Sequence, residues 1–240
     1  MGGIAEIRTR LRTVADSDKA AFFPRFFKAG PGEYAEGDKF LGVTVPNVRS
    51  VVKWNTDLPL TDIETLLTSE WHEERLTALL ILVAQFAKGS EADRQAIYDF
   101  YLAHTGWINN WDLVDSSAEF IVGPYLENRP EKMEVLARLA ASRVLWERRI
   151  AILATFDYIK KGRADEALII AGQLLHDRHD LIQKAAGWML RETGKRVDRG
   201  TLTAFLDKHA AVMPRTTLRY AIEHLSPEQR EYYMGLKGVK

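Results

Sequence analysis

The chain has 240 residues, 33 basic and 33 acidic side chains for a formal net charge of zero, 46% hydrophobic residues and no cysteine. This composition belongs to a globular protein with enough chain for a full core, and it excludes disulfide frameworks, thiolate nucleophiles and cysteine-ligated metals. The zero sum hides a split: residues 1–142 carry 15 basic and 21 acidic side chains and residues 143–240 carry 18 and 12, so a basic face suited to a polyanion is expected from the C-terminal part.

The amino-terminal segment MGGIAEIRTRLRTVA is charged at Glu6 and Arg8 and has no long apolar run, which reads as neither a signal peptide nor a membrane span. The cytoplasm is the expected compartment for a chain without cysteine. Capping signals and 3.6-residue periodicity predict helices near 3–15, 17–28, 46–54, 61–68, 71–88, 91–103, 109–123, 129–141, 145–160, 163–176, 179–194, 199–210, 214–224 and 226–236. Strand signals are nearly absent. The segment Gly30–Lys39 (GPGEYAEGDK) lacks periodicity, and its Gly/Pro density predicts a turn or loop, not a domain linker.

Helix starts expected at Trp71, Trp107, Leu145, Leu181 and Thr217 recur every 36 to 38 residues, the pitch of a two-helix repeat. HEERLTALLIL (72–82) and WERRIAILATF (146–156) superimpose at a shift of 74, with Arg75 against Arg149. The expected fold is therefore all-α: an α-solenoid of tandem HEAT-like helix pairs in a single domain over 1–240, with N-terminal helices in 1–60 and tandem pairs in 61–240. The concave face of such a solenoid suits a long partner.

Asn109 or Asn110 caps the helix that follows, and Asp112 in its first turn is favoured by the helix dipole. Asp115 lies beyond the first turn, on the face of Trp111 and on a stripe continued by Val114, Ala118 and Ile121. A carboxylate on an apolar stripe costs several kcal/mol in desolvation unless it is partnered. Asp115 is therefore either half of a structural salt bridge or a functional group. The next repeats carry Arg148 and Arg149, then Lys184 and Trp188, so positions 111–115, 148–149 and 184–188 are candidates to line one groove. Leu181, Ala185 and Trp188 also form an ordinary core stripe. The six histidines show no metal-ligand spacing, and nucleotide-binding and hydrolase motifs are missing, so no cofactor and no metal is expected.

The blocks FLGVTVPNVRSVVK (40–53), NNWDLVDS (109–116), LWERRIAILATF (145–156), LIQKAAGWMLRE (181–192) and LRYAIEHL (218–225) make the chain resemble the AlkD-type DNA glycosylases, a HEAT-like repeat family of alkylation repair enzymes. The resemblance implies a monofunctional, metal-independent glycosylase that removes cationic N3- and N7-alkylpurines from duplex DNA without a tight base-flipping pocket. It assigns the catalytic carboxylate to Asp115, flanking aromatic faces to Trp111 and Trp188, and a phosphate-binding arginine to Arg149, with Arg148 beside it. Further expected DNA contacts are Arg49, Lys184, Arg191, Lys195, Arg215 and Arg219. A monomer acting on DNA in the cytoplasm and its nucleoid, with no membrane association, completes the expectation. The chain departs from the expected pattern in the loop 30–39, which is longer than the corresponding turn, and at Phe26 and Thr44, which stand where a tyrosine and a glutamine are expected. Rival readings are a non-catalytic DNA-binding repeat protein and a protein-binding scaffold.

Overall fold

The computed structural model describes residues 3–236. Among these residues the regular structure is helical, with one isolated bridge between Lys39 and Trp71 and no strand. No helix is long and apolar enough to cross a membrane. The chain divides into two compact units, residues 1–121 and 122–240.

The first unit is built around one helix. The short helices α1 (Ile4–Thr13), α2 (Ser17–Phe26), α3 (Val45–Val52) and α4 (Leu60–Leu67) precede α5 (His72–Lys88), and α6 (Glu91–Ala103) follows it. Helix α1 buries Ile7 and Leu11, and α4 buries Ile63, Leu66 and Leu67, each an i, i+3 or i+4 stripe that favours a helix packed on one side. Helix α5 is buried on every side from His72 to Leu82, with α3, α4 and α6 packed around it. Its first turn is unusual: His72, Glu73, Glu74 and Arg75 are each no more than 2% exposed.

Such burial is tolerated only where partners replace water. Glu74 accepts a forked pair of hydrogen bonds from Arg8, which ties α1 to α5. Glu73 accepts the backbone N–H groups of Leu41, Gly42 and Val43 at 2.9, 2.8 and 3.1 Å. Gly42 is fixed there by sterics, because it has φ of +81° and a Cβ would stand 2.0 Å from the Asp16 carbonyl oxygen. The preceding Gly30–Lys39 segment is a series of ordered turns as expected, with Ala35 fully buried and its N–H donated to the Lys28 carbonyl.

The predicted helix 109–123 is broken. A 3-10 turn at Thr105–Trp107 leads to a single-turn helix α7 (Trp111–Asp115), and α8 (Ala118–Leu126) begins after residues 116–117. Ser117 causes the interruption. Its hydroxyl donates to the Leu113 carbonyl at 2.6 Å, the acceptor that its own N–H would take in an α-helix, and the N–H turns to Val114 instead. Tyr101 holds the same hydroxyl at 2.9 Å.

The second unit contains α9 (Lys132–Ala140), α10 (Leu145–Ala154), α11 (Phe156–Lys160), α12 (Asp165–Gln173), α13 (Asp180–Arg196), α14 (Arg199–His209), α15 (Arg215–Ala221) and α16 (Pro227–Gly235). The predicted helix 145–160 breaks at Thr155, whose hydroxyl and N–H both turn to the Ile152 carbonyl. Helices α10, α13 and α15 begin 35 residues apart, and α13 packs between the other two. The expected shift of 74 is off by one. Arg75 Nη1, Arg148 Nη1 and Gln183 Nε2 each donate to the carbonyl six residues earlier, at 2.7, 3.0 and 2.9 Å. Arg148, not Arg149, is thus the structural counterpart of Arg75, because each repeat uses this side chain to close the loop that enters its long helix.

Helix α13 approaches α15 so closely that a Cβ on Gly187 would stand 2.5 Å from both the Thr217 carbonyl oxygen and Tyr220 Cβ. Gly187→Ala is expected to destabilise the protein by about 1–3 kcal/mol through overpacking, although alanine is the better helix former by about 1 kcal/mol. Urea unfolding of the variant beside wild type measures the difference.

Candidate active site

A cavity of about 400 Å³ opens in the first unit against α7. Phe23, Phe26 and Phe27 form one wall, and residues 43–45 with Arg49 form the next. His72, Glu73 and Leu76 of α5 also line it, as do Trp111, Asp112 and Asp115 of α7 with Ser116, Glu119 and Phe120. Because α7 is one turn long, it carries Trp111 and Asp115 at its two ends, both part-exposed on the cavity.

The aromatic wall is organised by Phe27. Its ring stacks on Phe40 (centroids 5.4 Å, planes 9° apart) and on Trp111 (5.7 Å, 25°), and it meets Phe26 edge-on at 4.9 Å. Phe26 also reaches Trp111 at 5.8 Å and is 48% exposed at the rim. Phe26 and Thr44 therefore both lie on the cavity.

Beneath the aromatic wall lies a polar cluster. Asn110 caps α7 through its side-chain oxygen and donates to the Phe27 carbonyl at 3.3 Å. Asp112 does more than the dipole role expected of it: it is buried, and its Oδ2 lies 2.8 Å from His72 Nε2. His72 Nδ1 lies 3.4 Å from Asp38, which also accepts from Arg75 at 2.5 Å and from Asn109 at 3.2 Å. Burial alone would push the His72 pKa down. The Asp112 charge and the hydrogen bonds with Asp112 and Asp38 overcome both burial and Arg75, and raise it from 6.5 to about 9. Two carboxylates, Asp38 and Asp112, thus face an imidazolium and a guanidinium. Arg75 is pushed below its usual pKa by burial, against the pull of Asp38.

Asp115 is not on the stripe of Val114, Ala118 and Ile121, which are fully buried; the break at Ser117 turns α8 away from it. Its charge contributes to the raised pKa of the fully buried Tyr101, after burial as the larger cause. The structure brings together Asp115, Trp111 and Arg49 on the cavity. The remaining expected site residues belong to the second unit. Trp188 packs on Phe156 at 5.6 Å, and buried Arg149 donates to the Leu181 carbonyl at 2.7 Å. Arg148 is held by Asp177 at 2.6 Å and by two backbone carbonyls. Lys184 pairs with Asp180, and Arg191 with Glu192 and Glu223. Lys195, Arg215 and Arg219 are exposed. No three metal-ligating side chains converge among the described residues, since Asp38 and Asp112 reach opposite nitrogens of His72.

A profile of the family described as DNA alkylation repair enzyme matches residues 7–225. The chain belongs to that family. A solved structure described as a predicted DNA alkylation repair enzyme from Enterococcus faecalis matches with a TM-score of 0.70 at 18% identity, over 89% of this chain and 97% of that one. No curated protein matches the sequence. Membership makes DNA the substrate and repair the role of this helical fold.

Within this family member, sequence reasoning missed the cavity and the cluster below it. The signal was available in part: His72-Glu73-Glu74-Arg75 directly precedes an apolar run, so at least some of these charges had to be buried. Their partners, Asp38 and Asp112, are 34 and 40 residues from His72 and share no pattern with it.

The raised pKa fixes the sign of a pH effect. The stabilisation from charged His72 is fully present below pH 6.5 and is lost as pH rises through about 9, to a total of about 3 kcal/mol. Chemical denaturation of wild type and His72→Gln at intervals from pH 6 to 9.5 is expected to show a stability gap that narrows with rising pH. A constant gap would mean that His72 does not titrate there.

Proposed function

We propose that the protein is a monofunctional DNA glycosylase that hydrolyses the N-glycosidic bond of N3- and N7-alkylated purines in duplex DNA. The observation that carries this reading is the cavity, on which carboxylates Asp115 and Glu119 stand beside Trp111, Phe26 and Phe27 in a chain of the alkylation repair family. Acidic groups and aromatic faces favour a cation, and the base of an N3- or N7-alkylated purine nucleotide is one.

Alkylation makes the base its own leaving group. The C1′–N bond breaks with its electron pair going to the base, which leaves neutral, while positive charge develops on the deoxyribose. Asp115 stabilises that charge and accepts a proton from the water that adds to C1′, giving free base and an abasic site. Trp111 contributes an aromatic face worth about 0.5–2 kcal/mol to the cationic sugar. The resemblance gives Trp188 the second such face and Arg149 a phosphate. Both arginines are engaged in the free protein, Arg149 with the Leu181 carbonyl and Arg148 with Asp177 and two carbonyls.

Recognition in this reading is of charge and backbone, without a tight base-flipping pocket. The cavity's Glu73, His72 and Asp112 are engaged with protein groups, so they do not form a matched set for a base edge. We read residues 1–240 as one HEAT-like repeat domain that binds DNA as a monomer, in the cytoplasm and on its nucleoid DNA. Arg49, Lys184, Arg191, Lys195, Arg215 and Arg219 serve as phosphate contacts. If about six contacts form, log affinity falls against log salt with a slope near −5.

The decisive experiment follows N7-methylguanine release from methylated duplex DNA, with chelator present and spontaneous depurination subtracted. Wild type is expected to release base, and Asp115→Asn to lose release by at least about 100-fold while binding duplex as tightly as wild type. Absence of release of both N7-methylguanine and N3-methyladenine by wild type, with salt-dependent duplex binding intact, would leave a non-catalytic DNA-binding member of the family. Arg149→Ala and Lys195→Ala are each expected to weaken duplex binding irrespective of methylation and to make the salt slope shallower by about one.

A further inference from the structure

We propose that His72 is a positioning residue for Asp115 and Trp111: as a buried cation between Asp38 and Asp112, it fixes the one-turn helix α7 that carries both. The proposal rests on the reading of Asp115 and Trp111 as site residues.

Helix α7 has five residues, and a single turn has too few hydrogen bonds to hold its own conformation. Its orientation must come from outside. Asn110 fixes the start of the turn through the Phe27 carbonyl, and Ser117 fixes the end through Leu113 and Tyr101. Between them, Asp112 of α7 has a buried ionic partner, His72 at 2.8 Å. The residue stands next to Trp111 and one turn before Asp115, so a rotation of α7 about this contact moves both ends of the site.

His72 is itself immobilised on four sides. Asp38 holds Nδ1, Asp112 holds Nε2, and the rings of Phe27 and Phe40 lie at 4.7 and 5.1 Å. Phe27 in turn stacks on Trp111, so His72 supports α7 by an ion pair and through an aromatic relay. The other charged groups that face it are Arg75 and Glu73 of its own helix. Arg75 is neutralised by Asp38, and Glu73 is engaged by three backbone N–H groups. Loss of the His72 proton removes the one cation in contact with buried Asp112 and leaves it only the field of Arg75, which Asp38 already opposes, and the favourable response is for Asp112 to seek water at the cavity, carrying α7 with it. With a pKa raised to about 9, His72 is charged at neutral pH and makes this transition in mildly alkaline solution.

The test uses the full chain labelled with 5-fluorotryptophan, whose six tryptophan resonances include Trp111, assigned through Trp111→Phe. In wild type the Trp111 fluorine resonance is expected to shift between pH 6 and 9.8 with the midpoint of the His72 ring, near pH 9. In His72→Gln, which keeps a donor for Asp112 without the charge, it is expected to stay constant. A Trp111 resonance that stays flat while the His72 ring titrates overturns the proposal, and this measurement needs the assignment variant Trp111→Phe but no substitution at His72 and no enzymatic activity.

Single-turnover base release supplies the functional arm. His72→Gln is expected to lower the rate at pH 7 by about tenfold with duplex affinity within twofold of wild type, and to abolish the fall in rate that wild type shows above pH 9. A variant with the wild-type rate and an unchanged alkaline limb counts against positioning. If wild type releases no base at all, the glycosylase reading fails, while the fluorine titration still decides the role of His72.

Discussion

The first unit depends on the burial of four consecutive polar side chains at the start of α5. Each of His72, Glu73, Glu74 and Arg75 has been taken out of water, at a cost of several kcal/mol that only partners can offset. The partners come from different segments: Arg8 of α1, the backbone of residues 41–43, Asp38 of the Gly-rich turns, and Asp112 of α7. Hydrophobic packing is tolerant of small displacements, whereas these contacts are not. A shift of one ångström in any segment leaves a buried charge or N–H unpaired. The cluster therefore fixes the register of four otherwise weakly anchored segments against one rigid helix.

The cavity is a by-product of that arrangement. It is lined by His72, Glu73 and Asp112 of the buried cluster, and its aromatic wall rests on the same imidazole. Asp115, on the cavity, is placed by a short helix instead of a long one, because Ser117 ends α7 directly after it. Had the helix continued, Asp115 would have joined the buried stripe of Val114, Ala118 and Ile121 and faced desolvation with no access to a ligand. The hydroxyl of one serine thus separates a core stripe from a site.

The all-helical architecture was legible because apolar periodicity is dense in almost every segment, and the two-helix repeat was legible because its long helices recur. Their spacing was misjudged in detail. The alignment of Arg75 with Arg149 rested on similarity of apolar residues, while the physical equivalence lies in the side chain that closes the preceding loop, which is Arg148. The helix breaks at Ser117 and Thr155 were hidden for a related reason: a serine or threonine in a helical pattern is compatible with either continuation or back-bonding, and tertiary contacts decide. Trp111, Asp115 and Arg49 were readable as candidates from the resemblance. Phe23, Phe27 and Phe120 were not, since a cavity wall drawn from several segments has no local pattern.

The two halves of the sequence also differ in electrostatic character, and the site chemistry follows the difference. The acidic part, residues 1–142, contributes the cavity with Asp115 and Glu119, whose field favours a cation. The basic part contributes the exposed Lys195, Arg215 and Arg219, whose field favours phosphate. In the proposed reading the substrate is a polyanion carrying one cationic base, and these are the two terms its recognition requires. Phosphate contacts bring affinity and are blind to the lesion, whereas an acidic aromatic cavity adds discrimination by charge. Neither term alone selects a damaged purine: a uniformly basic surface binds all DNA, and a uniformly acidic one repels it. A net charge of zero, which at first sight argues against a nucleic-acid partner, is what such a division produces.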